Sequence, residues 1–92
     1  MTITRPTDLA TATDAVIALL HREFPMLRRQ ALSAQTPLLS AGLLDSFAVV
    51  TLIATIEETF GVQIDVDATG LELFETPLSM ATLIMRTGPH GG

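Results

Sequence analysis

The stretch Ser46–Phe60 constrains the fold of this chain more than any other. Val49, Val50, Ile53, Ile56 and Phe60 recur at helical spacing, and Gly61 stands where a left-handed cap ends a helix. Its β-branched residues (Val49, Val50, Thr51, Ile53, Thr55, Ile56) would also suit a strand. The length of the run, its caps and its lack of alternation decide for an amphipathic helix. Such a helix must bury its apolar face, and a chain of 92 residues has room for one core.

A second helical pattern starts at Asp8 or Thr13 and runs to Phe24, with Val16, Leu19, Leu20 and Phe24 on one face. Thr11 or Thr13 can cap it, Asp14 suits its first turn, and Pro25 ends it. Near the C-terminus, Thr76 is placed to cap a helix and Pro77 to open it. Met80, Leu83 and Ile84 give that helix an apolar face, and Gly88 stops it. Before it, Val62 to Asp65 form a connector, and Leu71, Leu73 and Phe74 a short helix or single turn.

Residues 26–45 have no clean period, yet Leu38, Leu39, Leu43 and Leu44 recur through them. A structureless loop of this length is unusual in a compact domain. The expectation is an ordered loop pinned to the core by leucines and bent at Gly42. The fold class is therefore all-α: a four-helix bundle with a short third helix and a long ordered loop between helices 1 and 2. Residues 1–92 read as a single domain with a core of about 8–87 and a flexible tail at 88–92. The first helix begins within about ten residues of Met1, which suggests a free-standing protein.

Composition removes several classes of function. Five arginines, no lysine and ten acidic residues give a formal net charge of −5. Nucleic acid needs a basic face to displace its counterions, and only Arg28-Arg29 pair up here. No cysteine means no disulfide, thiolate metal site or cysteine nucleophile. The short apolar run from Ala15 to Leu20 makes neither a signal peptide nor a membrane span, so the cytoplasm is the default location. Asp65-Val66-Asp67-Ala68-Thr69-Gly70 imitates the start of a calcium loop, but Thr76 stands where its final carboxylate belongs. Asp67 reads instead as a cap for the next turn. His21 reads as a surface residue and His90 as part of the tail, so no triad forms with Ser46. Glu57-Glu58 reads as a solvated face.

The junction Gly42-Leu43-Leu44-Asp45-Ser46-Phe47 is the candidate site. A serine there has an ordinary explanation as a helix cap. The large apolar residues around it are out of place in a loop. Leu43-Leu44-Asp45-Ser46-Phe47, followed by Ile56-Glu57-Glu58-Thr59-Phe60-Gly61-Val62, resembles the acyl carrier and peptidyl carrier family. Phe74, Thr76 and the apolar helix after them are similar to that family's last segment, and the resemblance covers about residues 8–87.

The resemblance implies a non-catalytic carrier with a 4′-phosphopantetheine arm on Ser46. In the family a phosphopantetheinyl transferase adds this arm from coenzyme A with Mg²⁺, and the arm's thiol then holds acyl or aminoacyl groups as thioesters. The implied partners are that transferase, a loading enzyme and a downstream synthase or transferase, with neither nucleic acid nor membrane involved. The chain itself is expected to be a monomer. A phosphodiester also suits a helix N-terminus, where it gains about 0.3–1 kcal/mol at an exposed site. Family members often carry acids two and five positions after the serine; here Ala48 and Thr51 stand there, and Phe47 replaces a commoner leucine. Leu44, Asp45, Phe47 and Val50 are therefore the expected recognition residues, in a dedicated polyketide- or peptide-type pathway. The alternative is a small helical docking module in which Ser46 is only a cap.

Overall fold

The computed structural model describes residues 8–65, 67 and 70–86. Three α-helices account for most of them: α1, Leu9–Glu23; α2, Ser46–Phe60; and α3, Pro77–Arg86. Two 3₁₀ turns, Pro25–Leu27 and Leu71–Phe74, follow α1 and precede α3. The chain is thus all-helical among the described residues. Leu71–Phe74, open in sequence between short helix and single turn, is a 3₁₀ turn. The expected tail, with Gly88 and His90, lies outside the described residues, as do Val66, Ala68 and Thr69 of the calcium-like loop. Within that loop the Asp65 Oδ1 accepts from the Asp67 N–H at 3.1 Å, and the turn at Leu71–Phe74 has no side-chain cap, from Asp67 or any other residue.

α1 forms because Val16, Leu19 and Leu20 return to one face, joined by Ala12 and Thr13. Its cap is Asp8, whose Oδ1 accepts from the Thr11 N–H at 2.7 Å, so neither Thr11 nor Thr13 serves. Thr13 is drawn into the core and its hydroxyl donates to the Leu9 carbonyl at 2.8 Å, which keeps it from starting the helix. Pro25 ends α1 and opens the first 3₁₀ turn, placing Leu27 in the core. The buried side of α1 packs on α3, which contributes Met80, Ala81, Leu83 and Ile84.

α3 begins as the sequence suggests. Thr76 Oγ1 accepts from the Ser79 N–H at 3.0 Å, and Ser79 Oγ accepts from the Thr76 N–H at 3.2 Å. This reciprocal pair satisfies amides that a helix start leaves open. α2 ends at Gly61, whose φ of 66° is the left-handed geometry a glycine takes without strain. Glu57 is not simply solvated: its Oε2 accepts from the Ile64 N–H at 2.9 Å and turns the chain back after the helix.

The connection from α1 to α2 is tied down by both apolar and polar contacts. Leu38 and Leu44 are buried, with Leu32, Leu39 and Leu43 packed against the same core. The Leu38 carbonyl accepts from the Leu43 and Leu44 N–H groups, and Gly42 makes the bend at φ 75°. Glu75, just before α3, grips this segment from outside. Its Oε1 accepts from the Leu39 and Ser40 N–H groups at 2.8 and 2.9 Å, and its Oε2 accepts from the Ser40 hydroxyl. Its own carbonyl accepts from the Leu38 N–H at 2.6 Å.

The hydrogen bonds from Ser40, side chain first and then backbone, hold the Glu75 carboxyl below the ordinary glutamate range against a smaller effect of burial. A carboxyl lowered in the folded state adds stability that is complete above its unfolded pKa and is lost as pH falls through the folded one. Urea unfolding followed from about pH 7 to about pH 3 should therefore show a steeper acid loss for the wild type than for Glu75→Gln. Parallel curves would show that this carboxylate is not linked to folding.

Candidate functional site

The start of α2 is built by Asp45. Its backbone is extended, and its Oδ1 accepts from the Ala48 N–H at 2.8 Å while its carbonyl accepts from the Val49 N–H at 3.1 Å. These are the bonds of an N-cap. Ser46 is consequently the first residue inside the helix and does no capping. The ordinary explanation for a serine at this junction therefore falls to Asp45.

This changes what the Ser46 hydroxyl is free to do. The chain has four serines. Ser33 Oγ shares a hydrogen bond with Thr36 Oγ1, Ser40 donates to Glu75, and Ser79 is engaged with Thr76 and the Leu73 carbonyl. Ser46 is exposed, and its hydroxyl has no hydrogen-bond partner among the described residues. The Ser46 and Phe47 amides, in the first turn, have no acceptor within the helix. An anion attached at Ser46 Oγ would meet these donors and the positive end of the helix dipole. The position therefore fits a phosphodiester chemically as well as sterically.

α2 divides into two faces. Val49, Leu52, Ile56 and Phe60 are buried. Val50, which follows the helical spacing and was expected among the recognition residues, is 67% exposed, and Leu52 takes the inward position. The two were hard to separate by period alone, since Val50 lies beside Val49 and either choice leaves an apolar stripe. Phe47 is 86% exposed and does not pack inward. Phe47, Val50, Thr51 and Ala54 thus share the outward face, and its first charge is Glu58.

Leu44 is a correction. It was expected on the recognition surface with Phe47 and Val50, but it is only 3% exposed. Its N–H donates to the Leu38 carbonyl and its side chain packs into the core, away from that surface. Asp45 is exposed, with one carboxylate oxygen committed to the cap. Glu75 was not singled out in the sequence. Its signal was weak: one acid among several, in a segment read for its apolar residues.

His21, expected at the surface, is half-buried and its Nε2 donates to the Gln30 carbonyl at 3.0 Å. Among the described residues no three His, Asp or Glu side chains gather as a metal site.

A family model described as the phosphopantetheine attachment site matches residues 14–84, a span that includes all of α2 and most of α3. The chain belongs to this family of carrier proteins. Its members carry a 4′-phosphopantetheine prosthetic group, are modified by phosphopantetheinyl transferases and interact with partner enzymes. No curated protein matches the chain significantly. A phosphopantetheine arm needs an accessible hydroxyl, and Ser46, next to the Asp45 cap, is exposed.

The division of roles between Asp45 and Ser46 has a measurable consequence. Asp45→Ala should lower stability to urea by ~0.5–2 kcal/mol, the loss of a cap. Ser46→Ala should stay within about 0.5 kcal/mol of wild type, as for a surface position. The reverse order would return the capping role to Ser46.

Proposed function

We propose that this chain holds acyl or aminoacyl groups as thioesters on a 4′-phosphopantetheine arm joined to Ser46 Oγ and delivers them to partner enzymes. The observation that carries this reading is the exposed, unengaged Ser46 hydroxyl at the first helical position, freed from capping by Asp45. When bound, the arm supplies the thiol that the chain lacks. The chain's own residues present Ser46 Oγ as the nucleophile: on the transferase its oxygen bonds to the pantetheine-bearing phosphorus of coenzyme A, the pyrophosphate bond breaks, and adenosine 3′,5′-bisphosphate leaves. The Ser46 and Phe47 amides favour the resulting charge. A tethered cargo then meets a docked enzyme at an effective concentration on the order of mM. Bond-making and bond-breaking belong to the transferase, the loading enzyme and a downstream synthase or transferase.

The same reading treats residues 1–92 as one cytoplasmic, monomeric carrier domain on a four-helix scaffold. The element between α2 and α3 counts as its short third helix, and residues 28–45 as its long ordered loop. Among the described residues no helix is long and apolar enough to cross a membrane.

Partner recognition is assigned to Phe47 and Val50, with Asp45 at their edge. An exposed aromatic residue beside the reactive serine is a natural anchor for an apolar cleft. The outward face of α2 holds no charge from Phe47 to Ala54. Electrostatic steering by this face is therefore weak, and partners that rely on an acidic helix have little to read. A neutral, apolar face fits a dedicated specialised pathway of polyketide or peptide type.

Incubation with coenzyme A, Mg²⁺ and a broad-specificity phosphopantetheinyl transferase should raise the intact mass by one phosphopantetheine. Ser46→Ala should show no gain while remaining folded. A folded wild type that gains nothing would end the carrier reading. In the same assay Phe47→Asp should lower kcat/KM by about tenfold or more, the effect of losing a central anchor. Raising NaCl from ~50 to ~300 mM should change the wild-type rate by less than about twofold. Unchanged loading of Phe47→Asp would remove Phe47 from the recognition surface.

A further inference from the structure

Glu75 lies 29 positions after Ser46 in the chain, yet a short series of bonds connects them. Its carboxylate accepts from the Leu39 and Ser40 N–H groups and from the Ser40 hydroxyl. Its carbonyl accepts from Leu38, and the Leu38 carbonyl accepts from Leu43 and Leu44 at 2.9 and 3.0 Å. Leu44 is buried, and the next residue is Asp45, the cap of α2. Each step is a hydrogen bond or a peptide bond, so the approach to Ser46 is fixed from the side of α3.

We propose that Glu75 is a positioning residue for attachment of the arm: it fixes Leu38–Ser40, these fix Leu43 and Leu44, and Asp45 is thereby held where it keeps Ser46 in the first turn of α2. This rests on Ser46 as the attachment site. The physical reason is the weakness of a helix start. The first turn of α2 has few hydrogen bonds of its own and depends on its cap. The cap depends in turn on a segment that includes Gly42, which adds backbone freedom. Hydrogen bonds to a charged acceptor are stronger than neutral ones, so one carboxylate receiving three of them is an effective brake on that freedom. Without it, a docked carrier would present Ser46 Oγ over a wider range of positions. Misplacement of a reacting atom by about 1 Å can cost about a hundredfold in rate.

A residue that serves the fold alone would change the unfolding midpoint and leave loading of the folded protein unaltered. A positioning residue lowers kcat and leaves the KM for the carrier nearly intact, because Phe47 and Val50 stay on the body of α2. The experiment compares wild type, Glu75→Ala, Glu75→Gln and Ser40→Ala, each shown to be helical by circular dichroism. All are loaded by a broad-specificity phosphopantetheinyl transferase with coenzyme A, with backbone amide exchange measured in parallel. Glu75→Ala should lower kcat by about tenfold with KM within about twofold, and should speed exchange across residues 41–47. Glu75→Gln keeps an amide oxygen for the Leu39 and Ser40 N–H groups and should recover most of the rate. Ser40→Ala, which removes one bond of the three, should lower kcat by about twofold.

A folded Glu75→Ala with wild-type kcat, or with a loss carried entirely by KM, overturns the proposal. If Glu75→Ala does not fold, wild-type kcat together with wild-type amide exchange across residues 41–47 in Ser40→Ala overturns it equally. A wild type that is not loaded at all overturns the Ser46 reading itself, and the positioning role with it.

Discussion

The bonds from Leu38, Leu39 and Ser40 to Glu75 decide whether the connection between α1 and α2 has one shape or many. Fixing the backbone of each residue costs roughly 1–2 kcal/mol of entropy, and residues 28–45 form no helix whose internal bonds would repay it. Two kinds of contact oppose that cost. Leu38 and Leu44 remove apolar surface from water, and Glu75 satisfies amides that would otherwise need solvent. Neither kind acts alone: the leucines choose which side faces the core, and the carboxylate sets the backbone path between them. The capping pair Thr76–Ser79 follows directly after Glu75, so the acceptor itself is held at a well-defined helix start.

That ordering has its effect at the start of α2. Asp45 takes the duty that the neighbouring serine would otherwise have, and the Ser46 hydroxyl is left exposed and unengaged. The same helix keeps Val49, Leu52, Ile56 and Phe60 in the core while turning Phe47 and Val50 outward. One helix thus anchors to the body, exposes the Ser46 hydroxyl and turns an apolar surface outward beside it. If partners dock there, as proposed, the absence of charge on that surface sets what kind of protein it suits.

Much of this arrangement was legible in the sequence, and for identifiable reasons. The bounds of α2, its Gly61 cap and the Thr76 cap of α3 follow from short-range rules that act within a turn of helix. The motif around Ser46 and the Phe60-Gly61 pair pointed to the carrier family, and the family match over residues 14–84 agrees. What was not legible depended on geometry between distant residues or on fine angular choices. Val50 and Leu52 are both apolar, and only packing shows which one turns inward. Thr11, Thr13 and Ser46 all looked like caps, yet Asp8 and Asp45 do that work, since an aspartate one position upstream competes for the same amides. Leu44 looked exposed because it adjoins Ser46, whereas its N–H donates to the distant Leu38 carbonyl and its side chain lies in the core. Glu75 reaches back 36 positions to Leu39, a contact that no local pattern marks.

On the proposed reading Ser46, and no other hydroxyl, receives the arm. Proteolysis of the loaded protein followed by fragment mass analysis tests it most directly. The added phosphopantetheine should lie on the fragment holding Asp45-Ser46-Phe47, with Ser33, Ser40 and Ser79 unmodified. Modification at any of those three serines, or a folded protein with no modification, would contradict it.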